Sequence, residues 1–297
     1  MLFPTLSSHT KGLVLTTIGG LALSLDVPLV RLGDGDVWSV TALRSLTTVA
    51  ATFILWFLVR RFTSSRPPLV PGWAAAFAAL LYGLSSMAFL GAVFNTTTAN
   101  VVFIVAFTPM FAALLSWLFL GERPGVSTLV TMAIMIVGVG LIVENGLSAG
   151  HWLGDLLSAL TALLIGGAIT IGRATQREMG FVPLIATVIP AAIALLMVVP
   201  AGYHVANPFW VMLDGGIMLP LAFWCLATGP RYLSASEVGM FYLLETILAP
   251  IWVWMIFSEV PALQSLAGGA ILIGALVGYS LWQMRSRSRS LATPLSH

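Results

Sequence analysis

The stretch Asn95–Pro124, NTTTANVVFIVAFTPMFAALLSWLFLGERP, is apolar almost throughout and stops abruptly at Gly121-Glu122-Arg123-Pro124. A run of that length and character matches a helix crossing a bilayer, which needs about 20 residues at roughly 1.5 Å each. Its outline returns at Ser234–Pro261, SASEVGMFYLLETILAPIWVWMIFSEVP, where two glutamates, Glu237 and Glu245, stand inside the oily run. The rest of the chain explains both the repetition and the embedded charges.

Charged residues make up 8% of the 297, hydrophobic residues 59%, and the mean hydropathy is +1.00. A soluble domain carries roughly a quarter of its residues charged, so this chain could not cover its own surface in water. A bilayer removes that requirement. A signal peptide does not account for the composition, because apolar segments continue to Trp282. The single Cys225 excludes an intrachain disulfide and a cysteine metal cluster. A net charge of +2 does not point to nucleic acid, since the basic residues are scattered through short loops. His9, His151, His204 and His297 lie in termini or loops, and neither H-E-x-x-H nor G-x-S-x-G occurs. There is no G-x-x-x-x-G-K-[ST] run either. The reading is therefore not an enzyme, with no nucleotide engine and no cofactor.

Each long apolar run reads as a helix, because backbone polar groups in hydrocarbon must be satisfied internally. Ten such runs are found: Gly12–Val30, Val37–Val59, Trp73–Phe94, Ala99–Leu120, Ser127–Val143, Gly154–Ile171, Phe181–Val199, Trp210–Thr228, Ser236–Phe257 and Leu263–Trp282. With the N-terminus in the cytoplasm, one side receives Lys11, Arg60, Arg61, Arg66, Arg123, Arg173, Arg177, Arg231, Arg285, Arg287 and Arg289. The other side receives Arg31, while Arg44 lies inside a span. The positive-inside rule then sets both termini in the cytoplasm, with residues 285–297 as a basic tail.

Laying the second half on the first at an offset of 137 aligns Glu122 with Glu259, Pro124 with Pro261, Trp117 with Trp254 and Asn100 with Glu237. This predicts two five-helix units, 12–144 and 154–284. Five is odd, so the copies sit in opposite orientations, with the Glu122 corner cytoplasmic and the Glu259 corner outside. Inverted repeats of this kind let one end open as the other closes, which makes transport the leading function. A duplication that merely built a stable bundle is the alternative.

At this point the chain resembles a known family. Ala42-Leu43-Arg44 in the second span, Pro109 with Leu118-Phe-Leu-Gly-Glu-Arg123, and the partial echo Phe257-Ser-Glu-Val-Pro261 are similar to the drug/metabolite transporter superfamily, in its branch of ten-helix exporters built from two EamA units. The architecture also resembles that of the YddG amino-acid exporters. The resemblance implies export of amino acids or related small metabolites through a bacterial inner membrane. Export of drugs or toxic organic cations, or bidirectional uniport, stays open beside it. One departure is Thr246, preceded by Glu245, where the family's second unit commonly has proline; Pro250 then shifts any irregularity by a turn.

Polar groups inside a span are costly and generally face an interior or aqueous path. Asp26, with Pro28 two residues later, suits a cation, a substrate amine or a proton; alternatively it pairs with Arg31. Arg44 can receive a substrate carboxylate or serve as a fixed structural ion. Glu237 and Glu245 share nearly one helix face, with Tyr242 between them. Glu245 is a candidate for proton coupling, with a fixed ion pair as its rival. Asn100 is expected on the central path after threonines that cap its helix. Tyr82 and Trp224 complete the candidate pocket. Pro28, Pro109, Pro250 and the pair Gly166-Gly167 are candidate bends for gating. Ala79-x-x-x-Gly83 and Gly274-x-x-x-Gly278 suit close helix approach. Trp38, Trp73, Trp152, Trp210 and Trp282 suit the headgroup region. A functional monomer follows from each chain holding both halves, with lipid and a small-molecule substrate as its partners.

Overall fold

The computed structural model describes residues 8–62, 67–175, 179–229, 232–233 and 235–292. Arg66, Arg177 and Arg231 of the orientation count lie outside these residues, as do the side chains of Glu237 and of the basic tail. Among the described residues there are ten helices long and apolar enough to cross a membrane, each within a few residues of its expected position. β structure among them is one isolated antiparallel bridge, Gly35 with Val205. The fold is an all-α bundle of ten spans, with large hydrophobic side chains such as Phe57, Leu118 and Val199 turned outward, as lipid requires.

Proline sets the interruptions. The first span is Ser8–Ser24 followed by Asp26–Leu32, broken at Leu25; Pro28 has no N–H for the Ser24 carbonyl. The fourth is Thr98–Val105 followed by Thr108–Leu120. There Pro109 cannot bond the Val105 carbonyl, and the Thr108 hydroxyl donates to it instead at 2.6 Å. The seventh divides into Val182–Ile185 and Val188–Ala201 ahead of Pro190. The eighth runs as Pro208–Leu213, a π turn at Asp214–Met218, and Leu219–Thr228. Pro220 removes the donor that the Gly216 carbonyl would use, and the Leu219 N–H reaches back to the Asp214 carbonyl.

Two expected bends are continuous helix. The ninth span, Ala235–Phe257, runs on through Pro250, a tolerance that neighbouring helices provide within a membrane. The sixth, Trp152–Thr175, runs on through Gly166 and Gly167. Gly166 has a packing task instead: a Cβ there would press on Phe111 and the Ala112 backbone of the fourth span. Gly83 likewise lies against the Ala186 backbone, whereas Gly274 and Gly278 face open space and bring no helix close. The helix contact of that region is nearly two turns earlier, where Gly138 and Gly268 meet backbone to backbone.

The most extensive packing runs between the halves of the chain. The third span packs on the sixth, the first on the eighth, the fourth on the sixth, the first on the ninth, the second on the seventh and the fifth on the tenth. Between them the first turns of the fourth span, Thr98–Ile104, are fully enclosed, with Leu90, Met110, Met135, Ile142 and Leu272 forming the core around them.

Candidate functional site

Arg44 lies where the broken first span and the π turn of the eighth span face each other. Its Nη2 donates to both carboxylate oxygens of Asp26, at 2.8 Å each, and its Nε donates to Asp214 Oδ2 at 2.7 Å. Arg44, Asp26 and Asp214 are 3%, 4% and 0% exposed, so three charges are held out of solvent together. The local geometry follows from sequence. Asp26 opens the helix segment that restarts after the Pro28 break, and Asp214 opens the π turn. Gly215 next to it allows the eighth span to lie directly on the Arg44 carbonyl and on Thr47 and Thr48, where any Cβ would collide.

Asp26 thus pairs with Arg44 and not with Arg31, which corrects one of the two expectations for it. Arg44 is ion-paired with both acids in this structure. Around this centre stand other expected residues. Glu245 is an electrostatic neighbour of Asp26 and Arg44, Tyr242 of Glu245, and Tyr82 of Tyr242. Tyr242 keeps 42% of its surface exposed. Asp214 had not been expected. Its signal was present: an acid inside an apolar run, with Gly215-Gly216 beside it and a proline six residues on, echoing Asp26 and Pro28.

Asn100 belongs to a separate network. Its Nδ2 and the Thr96 hydroxyl donate to Asp155 Oδ1 at 3.0 and 2.8 Å, and its Oδ1 accepts from the Ser265 hydroxyl at 2.7 Å. Both ends of the amide are taken, and the residue is 1% exposed, so it serves to lock helix ends together. Thr97 caps that helix, accepting from the Asn100 N–H at 3.3 Å. Trp224, half-exposed and ten residues beyond Asp214, joins none of these interactions among the described residues.

Two ion pairs mark the ends of the fourth span. At its start, Arg31 pairs with Glu259. Glu259 also accepts from the Thr98 N–H at 3.0 Å, and Arg31 donates to the Val93 and Thr96 carbonyls at 3.3 and 3.1 Å. Both partners are 22% exposed and form part of a cleft of about 700 Å³ bounded also by Val30, Asp34, Thr97 and His151. At the far end, beyond Leu120, Arg173 pairs with Glu122 at 2.6 Å, with 55% and 48% exposure. The 23 residues from Thr98 to Leu120 separate the pairs by about 34 Å at helical rise. The Glu122 and Glu259 corners therefore lie at opposite ends of one span.

Beside the Glu259 end, the loops at 33–36 and 204–207 are tied together. The Asp36 N–H donates to the His204 carbonyl at 3.1 Å, and the Ala206 N–H to the Asp34 carbonyl at 2.9 Å. Asp36 caps the second span through the Trp38 and Ser39 N–H groups. Burial alone would push its carboxyl up, but hydrogen bonds from Ser39 and Trp38 and the charge of His204 together hold it below the usual carboxylate value. Among the described residues no group of three His, Cys, Asp or Glu is arranged for a metal ion.

Residues 10–144 match the EamA-like transporter family. The chain is 27% identical over 215 residues to the uncharacterized transporter YdfC of Bacillus subtilis, covering 67% of this chain and 69% of that protein. It is 26% identical over 198 residues to the pseudopaline exporter CntI of Pseudomonas aeruginosa, in two strains, covering 64% and 68%. One solved crystal structure superposes with a TM-score of 0.63 at 17% identity, covering 92% of this chain and 98% of that one, which establishes a shared fold. The family match covers the first half of the chain, and ten apolar spans are present among the described residues of both halves. The matched family and the relatives just named are transporters. These matches do not extend to the finer likeness to the YddG exporters.

Proposed function

We propose that this chain is a secondary transporter that exports amino acids or related small polar metabolites across a bacterial inner membrane by alternating access. Two inverted five-helix units, 12–144 and 154–284, form the pathway within a single chain, with both termini in the cytoplasm. The observation that carries this reading is the pair of corners. Arg31, at the end of the first unit's first span, pairs with Glu259, at the end of the second unit's fourth span. Arg173, at the end of the second unit's first span, pairs with Glu122, at the end of the first unit's fourth span. Exchanging the two units converts one pair into the other.

The packing supports the same exchange. Under it, third-on-sixth becomes eighth-on-first, and fourth-on-sixth becomes ninth-on-first. Second-on-seventh and fifth-on-tenth return to themselves, and all of these contacts are present. Each ion pair then acts as a latch at one end, the Glu259 pair outside and the Glu122 pair inside. The substrate site lies between them at Tyr82, Tyr242 and Glu245, beside the Arg44 centre. There an amine meets Glu245 and polar groups meet the tyrosine hydroxyls. The exporter among the relatives supports the outward direction.

Purified protein in liposomes tests this by counterflow, in which unlabelled substrate inside drives accumulation of labelled substrate from outside. A panel of amino acids, organic cations and nucleosides should give saturable exchange for an amine-bearing member. Flux of every compound in proportion to its concentration, without acceleration by substrate on the opposite side, would mean a channel and overturn the reading.

A further inference from the structure

Asp26 and Asp214 bond the guanidinium of Arg44, and a third carboxyl, Glu245, is an electrostatic neighbour of this centre. Fully ionised, the group would carry a net charge of −2 inside the bundle. A single uncompensated charge in a span already costs a few kcal/mol, and one removed from solvent without a partner costs more. Asp26 and Asp214 accept from adjacent nitrogens of one guanidinium, Nη2 and Nε, which brings the two carboxylates side by side. Asp214 Oδ1 is buried and accepts no hydrogen bond among the described residues. Two carboxylates at that separation repel, whereas one proton between them turns repulsion into a hydrogen bond.

We propose that Asp26 and Asp214 share one proton above Arg44, and that release and recapture of this proton couples transport to the proton gradient. This rests on the transport reading above. With the proton on Asp214 Oδ1, that oxygen donates to Asp26, the orphaned acceptor disappears, and Asp26, Asp214 and Arg44 sum to zero charge. The charged neighbours of the pair are Arg44 from the second span and Glu245 from the ninth; Tyr242 neighbours Glu245, and Tyr82 of the third span neighbours Tyr242.

The position suits a moving part. Asp26 follows the break in the first span and Asp214 begins the π turn of the eighth, so both sit at backbone irregularities where helix segments can reorient. Separating the two segments removes the acceptor from the shared proton, which passes to water on the open side. Once the site has opened on the opposite side and the substrate has left, one proton returns to the pair from that side. No other bond changes. An arriving amine at Glu245 compensates the charge exposed when the proton leaves, so substrate and proton move in opposite directions.

Two measurements on the full chain test this. Infrared spectra of the wild type at neutral pH should contain the carbonyl stretch of a protonated carboxyl, lost in Asp214→Asn; its presence unchanged in that variant would overturn the assignment. In liposomes containing a pH-sensitive dye, the substrate found by counterflow should drive proton movement. Asp214→Asn should reduce that movement at least tenfold and flatten the pH profile of exchange. Wild-type counterflow without proton movement would sink the coupling and leave the transport reading intact, whereas absent counterflow would sink both. If Glu245→Gln alone abolishes proton movement while Asp214→Asn retains it, the proton belongs to Glu245 and the shared pair is wrong.

Discussion

The two ion-pair corners are made from the same parts and are held very differently. At the Glu259 end both partners are three-quarters covered, and each also bonds backbone: Glu259 the start of the fourth span, Arg31 the end of the third. At the Glu122 end the partners are about half exposed. Equal chemistry in unequal surroundings gives unequal strength. Exposed pairs contribute about 0–1 kcal/mol, while charge-assisted bonds away from solvent contribute about 1.5–3 kcal/mol. The structure is thus fastened more firmly at its Glu259 end than at the other, the asymmetry expected under the proposed alternating access for a state closed at one end.

The comparison can be broken most forcefully at the centre, on which both ends depend. Gly215→Ala places a methyl group against the Arg44 carbonyl and Thr47. It should displace the π turn from the second span, abolish exchange and lower the melting temperature in detergent by several degrees; normal exchange would show that the eighth span does not rest there. Next in size, Glu259→Gln should cost about 1.5–3 kcal/mol of stability and Glu122→Gln no more than about 1 kcal/mol, read as melting temperatures of the two proteins. Equal losses would remove the asymmetry. A charge reversal sharpens it: Arg31→Glu should impair exchange, and adding Glu259→Arg should restore a substantial part, although the helix-end hydrogen bonds would stay altered.

The smallest effect concerns the loop bridge beside the Glu259 corner. Because Asp36 titrates below its usual value, its cap stabilises the fold above the ordinary carboxylate pKa of about 4. That contribution disappears as pH falls through the lowered value. Hydrogen exchange at the Ala206 and Asn207 amides, which donate to Asp34 and Gly33, should accelerate below about pH 4. Asp36→Asn should show already at neutral pH the part of this protection that depends on charge. Unchanged exchange across that range would separate the cap from the bridge.

Much of this architecture is legible in the sequence because lipid imposes simple rules. Span length and apolar runs gave all ten helices, and the intramembrane charges Asp26 and Arg44 marked the centre before their contact was known. What escaped was anything dependent on packing. Asp214 lies four residues inside its expected span, where an acid reads as interfacial; only the π turn carries it to Arg44. Asp155 likewise stands at a span edge, and its partners Thr96 and Asn100 come from a different helix end. Asn100 is buried with both ends of its amide bonded, and those partners, Asp155 and Ser265, come from distant parts of the chain that no local pattern joins. Pro250 shows the converse limit, since proline signals a missing bond and leaves the neighbours to decide whether the helix breaks.

The central claim is that the two corners open in alternation. Cys225 is buried and is the chain's single cysteine, so a Cys225→Ala background allows one reporter cysteine at a time, at Thr97 by the Glu259 corner or at Gly125 by the Glu122 corner. Labelling by a membrane-impermeant thiol reagent, applied to protein in detergent with and without substrate, should rise at one position as it falls at the other. Parallel rises, parallel falls, or no response to a substrate that the protein demonstrably exchanges would contradict alternating access through these two ends.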